Sequence, residues 1–359
     1  MLQRRDYSLT GFDAKRAVHN GLAQANWYTC PLNRQELKVL VRRRNGPAIR
    51  DTLIWLSAMC VCGALVVHFW GRWMALPFFA AYGMLYGSAS DSRWHECVHG
   101  TAFKTDWMND AVYLIACVMI LREPTVWRWS HARHHTDTLI VGRDPEIAYP
   151  RPTNVAGLFL DFFAIRATAA TLHKLALHAS GRLTVDEQTF IPETEHRHVY
   201  LAARVGLCLL AALIVVCIAA GSLLPAMLVG LPTLYGAGLD FFFSTTQHAG
   251  LAEDVLDHRL NSRTVYMNPV FRFLYWNMNY HVEHHLFPMV PFHALPRLHA
   301  AAKDFLPPPY PSCWAAYREI IPALARQRTD PTWFVVRPLP HSADSEPKRP
   351  AAVALTSGA

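Results

Sequence analysis

Three stretches of this chain carry no Lys, Arg, Asp or Glu: Leu53–Gly71, Trp73–Ser90 and Val205–Leu239. No other feature restricts the fold as strongly. In lipid a chain must satisfy its own backbone hydrogen bonds, and a helix of about 20 apolar residues does so while crossing the hydrocarbon. Only Arg72 separates the first two stretches, which predicts a helical hairpin with spans at about 53–71 and 73–90. The third stretch is too long for one crossing and carries Gly221-Ser222 and Pro225 near its middle. It is expected to form a second hairpin, with spans at about 205–222 and 225–243. Trp70, Trp73, Tyr235 and Phe241–Phe243 fit as interfacial anchors. The expected fold is all-α and integral to a membrane, four transmembrane helices arranged as two hairpins under a cytoplasmic helical cap.

A net charge of +7 and a pI near 9.0 would suit nucleic acid in a soluble protein. Here much of the excess (Arg4, Arg5, Lys15, Arg16, Arg42, Arg43, Arg44, Arg50) precedes the first apolar stretch. That placement fits a cytoplasmic N-terminal region, residues 1–50, and no nucleic-acid partner. Counting spans then leaves 91–200 and 245–305 cytoplasmic, the latter closing a membrane domain over 51–305. A cytoplasmic segment follows at 306–337. Residues 338–359, rich in Pro, Ala and Ser, are expected to be disordered. Ala111–Leu121 is too short to span, and Val155–Ala179 mixes apolar and charged residues as a helix lying on the membrane surface would. The eight cysteines form no C-x-x-C pair, so neither a disulfide framework nor a zinc ribbon is expected. The first fifty residues are polar and show no cleavable signal.

Every histidine cluster falls on the predicted cytoplasmic side. The clusters are His95-Glu-Cys-Val-His99, His131-Ala-Arg-His134-His135 and His281-Val-Glu-His284-His285. On a helix, positions i, i+3 and i+4 share a face, so each cluster can present its imidazoles together. Neutral imidazole binds iron, zinc, copper and nickel. Eight rings are too many for one ion, and His248, just past the last span, is placed to be a ninth ligand. Two readings compete with a two-ion redox centre. His95-Glu96-x-x-His99 matches the zinc metalloprotease signature, and a metal carrier would also concentrate histidine. The first leaves both H-x-x-H-H clusters unexplained, and the second would want polar ligands within the spans, where only His68 and Asp240 are available.

In order and spacing the three clusters resemble the membrane fatty acid desaturase and hydroxylase family. The text Asn279-Tyr-His281-Val-Glu-His284-His285-Leu-Phe-Pro288 is similar to its bacterial acyl-lipid desaturase branch. The resemblance covers roughly residues 50–305. It implies two iron ions held by His95, His99, His131, His134, His135, His281, His284 and His285, with His248 as the additional ligand. It also implies dioxygen as co-substrate, a lipid or acyl substrate and a location in the bacterial inner membrane. Glu96, Glu283 and Asp91 are expected to accept the outer ring N–H bonds; Asn277 and Asn279 are further candidates. Electrons must come from a ferredoxin or haem protein with its reductase, because no haem or iron–sulfur signature is present. Arg122, Arg128, Arg133 and Arg143 are the expected docking face.

Desaturation of a fatty acyl chain is the favoured outcome, with hydroxylation or another oxygenation as the alternative. Trp94, Trp127, Trp129 and Trp276 would line an apolar tunnel or mark the interface. Three segments (Trp27–Pro31, Gly46–Asp51 and Thr136–Glu146) resemble a bacterial subgroup that includes the rhizopine-catabolism oxygenase, which suggests a smaller, more polar substrate.

Overall fold

A computed structural model of the chain describes residues 5–23 and 26–340. Arg4 and most of the expected disordered tail, from residue 341 on, lie outside the described residues. Among the described residues there are helices and loops but no strand, only two isolated bridges, Thr264 to Tyr280 and Val265 to Tyr310.

Two short helices, α1 (Phe12–His19) and α2 (Arg34–Leu40), precede α3 (Asn45–His68). Nothing charged follows Asp51 in α3, and the helix stops where Gly71 turns with a φ of 78°. One face packs Trp55 and Val66 inward, while Leu53, Ile54, Val61 and Val67 stand exposed. The other long apolar helix, α10 (His196–Ala220), is capped by Gly221 in the left-handed region. It leaves Leu209, Ile214, Val215 and Ile218 bare. These two helices are long and apolar enough to cross a membrane. Apolar surface of that extent on a folded chain marks a lipid or protein contact.

The two return segments differ from expectation. The first is α4 (Leu76–Gly83), a π turn at Met84–Ser88 and α5 (Ala89–Val98), a single helical path with a wide turn in it. The second is broken into α11 (Leu224–Leu228), α12 (Pro232–Tyr235) and α13 (Gly238–His248). The reason is local. Pro225 and Pro232 lack amide donors, and Gly230 sits at φ 86°, so no continuous ladder runs through 224–238. The two segments cross at glycines: a Cβ on Gly236 would lie 1.9 Å from the Gly83 carbonyl oxygen. At the same crossing Ser88 Oγ donates to the Gly236 carbonyl and accepts from the Asp240 amide, at 2.6 and 2.7 Å. The break thus lets α13 lie against the π turn that leads into α5, which brings its last residue, His248, towards the other histidines.

Between these segments lie α6 (Asp106–Met119), α7 (Pro124–Asp137), and α8 (Val155–Phe162) with α9 (Ile165–Ala179). Helix α6 buries Tyr113, Ala116 and Cys117 against α5 and exposes Leu114, Ile115 and Val118. Helices α8 and α9 bend by 77° at Ala164, where one helix was expected over 155–179; by length and composition the pair could form a broken span or a re-entrant loop. Beyond α13 the chain forms α14 (His258–Asn261), α15 (Pro269–Leu274), α16 (His281–Leu286), α17 (Leu295–Ala302) and α18 (Cys313–Arg326). Residues 306–337 do not stand apart, since α18 packs Ala316 and Ile320 on Ala249 and Val265. A fully buried Arg93 ties α3, α5 and α15 together. Its guanidinium donates to the carbonyls of Ala89, Leu274 and Phe273 and lies over the rings of Trp55, Phe273 and Trp276.

Candidate metal centre

Four elements supply the histidines. Helix α5 carries His95 and ends at His99, α7 carries His131, His134 and His135, α13 ends at His248, and α16 carries His281, His284 and His285. Helix α7 starts cleanly because Pro124 occupies its first position and the Glu123 side chain caps the Val126 amide. Helix α16 has only six residues and could not persist alone. Glu283 accepts from Thr264 Oγ1 and from His299 Nδ1, while Val265 donates its amide to the Asn279 carbonyl at 2.9 Å. These bonds, and the burial of every α16 residue but Leu286, hold the helix in place.

All nine histidines converge, in two groups. His95, His99, His131, His135 and His284 form one, and His134, His248, His281 and His285 the other; within each, the candidate ligand atoms lie within 4.8 Å of one another. Facing Nε2 atoms approach closely: 3.1 Å for His99 and His131, 3.1 Å for His135 and His131, 2.9 Å for His281 and His248, and 3.0 Å for His285 and His281.

The outer nitrogens show what those inner ones are. His131 Nδ1 lies 3.1 Å from Glu146 Oε2, and His134 Nδ1 lies 2.9 Å from Asp144 Oδ2. His248 Nδ1 donates to the Asn261 carbonyl at 2.7 Å, and His285 Nδ1 faces Thr138 Oγ1 at 3.3 Å. With the proton on Nδ1, each Nε2 presents a lone pair inward. Burial, joined by the neighbouring imidazoles, holds His95, His131, His135, His281, His284 and His285 well below the usual histidine range. Burial also takes His99 to about 4 and His248 to about 3. His134 runs the other way. Burial opposes its charging, but the Asp144 carboxylate and its hydrogen bond outweigh that and raise it to about 9. Buried acceptors pointed at one another are costly unless a cation lies among them. The residues present therefore fit two metal ions with nitrogen ligands.

The acids expected behind the rings are mostly elsewhere. Asp91 pairs with Arg122 at 2.7 Å, and Glu283 holds Thr264 and His299, so neither reaches a clustered histidine. Glu96 comes nearest, with Oε1 at 3.6 Å from His284 Nδ1 and 4.0 Å from His95 Nδ1. Its other oxygen accepts the Phe292 amide at 3.0 Å, and burial pushes its carboxyl up to about 8. Fully buried in this way, Glu96 is not the water-activating base of a zinc protease, and its two neighbouring histidines belong to a group of five. Asn277 donates to the Phe292 carbonyl and Asn279 to the Val265 carbonyl; both are scaffolding.

The acids that do the work are Asp144 and Glu146, in the loop after α7. An acid pair two apart, directly after a histidine-rich helix, was the available signal. The expected basic face is also occupied from within: Arg122 pairs with Asp91, Arg128 with Asp110, and Arg133 and Arg143 with Asp137. Trp94 and Trp276 are core residues. The first meets His131 edge to face at 5.2 Å, and the second stacks on Phe292 at 4.3 Å.

One cavity, of about 770 Å³, reaches this centre at His95, His131, His134, His248 and His281. Its wall near the histidines includes Trp94 and Trp127 but also Asp91, Arg122, Asp240 and Gln247.

A family model for fatty acid desaturases matches residues 71–317, a range that contains all nine histidines. The chain belongs to the fatty acid desaturase family. Curated relatives are plant enzymes. A fatty acid conjugase of Calendula officinalis is 25% identical over 258 residues, covering 64% of this chain and 68% of the relative. A conjugase-like enzyme of Dimorphotheca sinuata is 25% identical over 60% of this chain and 65% of its own length. A delta-12 acyl-lipid desaturase of Punica granatum is 33% identical, over only 23% of this chain and 21% of the relative.

Proposed function

We propose that this protein is a membrane oxidoreductase that, with two iron ions bound at its histidine groups, uses dioxygen and two external electrons to introduce a double bond into a fatty acyl chain. The observation that carries the reading is the convergence of nine imidazoles, six buried and three partly buried, as groups of five and four. Family membership supports iron and the acyl substrate, and the relatives' names support desaturation. Two long apolar helices support a membrane setting, which we take as the inner membrane of a bacterium. The full topology we propose keeps four crossings in two hairpins, the second and fourth of them irregular, with the histidine-rich cap on the cytoplasmic side.

In this reading His95, His99, His131, His135 and His284 hold one ion, and His134, His248, His281 and His285 the other. Bound iron supplies the activation of dioxygen that abstraction from an unactivated methylene requires. The chain itself does the rest. Asp144, Glu146 and the Asn261 carbonyl fix the ring tautomers so that Nε2 faces inward. Trp94 packs over His131 and closes that side of the centre. The cavity admits the substrate to the face formed by His95, His131 and His281.

The charged lining near the histidines favours a second outcome, hydroxylation or another oxygenation of a smaller polar compound. Expression with a ferredoxin and its reductase in a host lacking the activity, followed by lipid mass spectrometry, separates the two. New double bonds support desaturation and new hydroxyls support oxygenation. An unchanged lipid profile with fully iron-loaded protein contradicts the acyl reading.

A further inference from the structure

A second opening, of about 520 Å³, reaches the centre from another side and touches histidines the first cavity does not, His135 and His285. Its wall is aromatic. Trp27 stacks on His258 with ring centroids 4.1 Å apart and planes 6° from parallel, and His258 lies 5.0 Å from His285 at 30°. The three rings form a continuous path from a half-buried tryptophan to a member of the four-histidine group.

This arrangement is built. Trp27 Nε1 donates to the Thr136 carbonyl at 3.1 Å, and the neighbouring Tyr28 amide donates to the Leu256 carbonyl at 2.9 Å. His258 is buried, yet among the described residues its Nδ1 has no hydrogen-bond partner; ring stacking holds it in place. It is not among the nine convergent histidines, so it needs another role. The helices flanking this segment in sequence, α1 and α2, expose Lys15, Arg34 and Lys38 against Glu36 as the lone exposed acid. By contrast, the arginines around α7 are already paired with acids of this chain, Arg128 with the exposed Asp110, and Arg133 and Arg143 with the buried Asp137.

We propose that electrons enter the metal centre through Trp27, His258 and His285, and that an acidic one-electron carrier protein docks over the mouth around Trp27. The inference rests on the di-iron reading above. Each reduced carrier loses one electron, which arrives at the His285 end of the stack. Two such electrons, two protons from solvent and the two hydrogens removed from the substrate reduce one dioxygen to two waters. Substrate and electrons thus reach the centre by separate openings.

The test uses the full chain in nanodiscs, loaded with iron, and a reduced [2Fe–2S] ferredoxin as probe. Three quantities are read: iron content, reduction by dithionite, and the rate of ferredoxin oxidation by stopped flow. Trp27→Leu is expected to keep the first two and to slow the third severalfold, while Trp27→Phe restores most of the rate. Thr29→Glu adds an acid at the exposed mouth; it gives up the 3.5 Å bond from Thr29 Oγ1 to the Trp27 carbonyl but alters none of the three stacked rings. It is expected to weaken ferredoxin binding, most at low ionic strength, where charge steering is strongest. Native rates in both Trp27→Leu and Thr29→Glu overturn the port. A native protein that takes electrons from dithionite but from no acidic carrier also overturns it and leaves the di-iron reading intact. A native protein that binds no redox metal overturns both.

Discussion

The two histidine groups differ less in ligand number than in what stands behind the rings. In the group of four, His134 meets Asp144, His248 meets the Asn261 carbonyl, and His285 meets Thr138; only the outer nitrogen of His281 has no partner among the described residues. In the group of five, only His131 has a close outer partner, Glu146, while the outer nitrogens of His95, His135 and His284 have none within hydrogen-bond distance. Three of four rings in one group are oriented by hydrogen bonds; in the other, helix packing and the number of rings carry more of the orientation. Fewer ligands need firmer aim, because each contributes a larger share of the binding.

The largest effects come from removing a ring. His134→Ala should empty the four-histidine group and His284→Ala should cripple the five-histidine one, each lowering iron per chain by about half and activity to background. Loss of all iron in both variants would break the division into two groups. Asp144→Ala comes next. It should weaken metal binding in the four-histidine group by about 10–100-fold, measured by competition with a chelator. Glu146→Gln should do less, at or below the bottom of that range, because four other rings remain; an effect equal to that of Asp144→Ala would erase the comparison. The smallest effect on metal is expected from Glu283→Gln. It should cost about 1–3 kcal/mol of stability in thermal unfolding, through the bonds to Thr264 and His299, with iron content unchanged. A selective loss of iron would return Glu283 to the metal site.

The nine histidines were legible because each cluster is local. Spacing of i, i+3 and i+4 fixes a shared face before any tertiary contact forms, and His248 follows directly from the end of an apolar run. The two long apolar helices were legible for the same reason, since length and missing charge are read along the chain. What escaped depends on chain reversals. Asp144 and Glu146 reach their rings across a loop, 10 and 15 residues from their partners in sequence. Glu283 sits between metal-binding positions but points the other way, towards Thr264 and His299. The arginines around α7 read as a free basic face only while the acids opposite them, Asp91, Asp110 and Asp137, are unplaced. Beyond the turn marked by Gly221-Ser222 and Pro225, the second return segment was judged by hydropathy, which is blind to Gly230 and Pro232 breaking a helix that composition alone allows.

Two ions held in two histidine groups on one chain should appear directly in metal analysis of the purified, active protein. Two iron ions per chain and no zinc are expected, falling to about one in His134→Ala. One zinc per chain and no iron in active protein would contradict this.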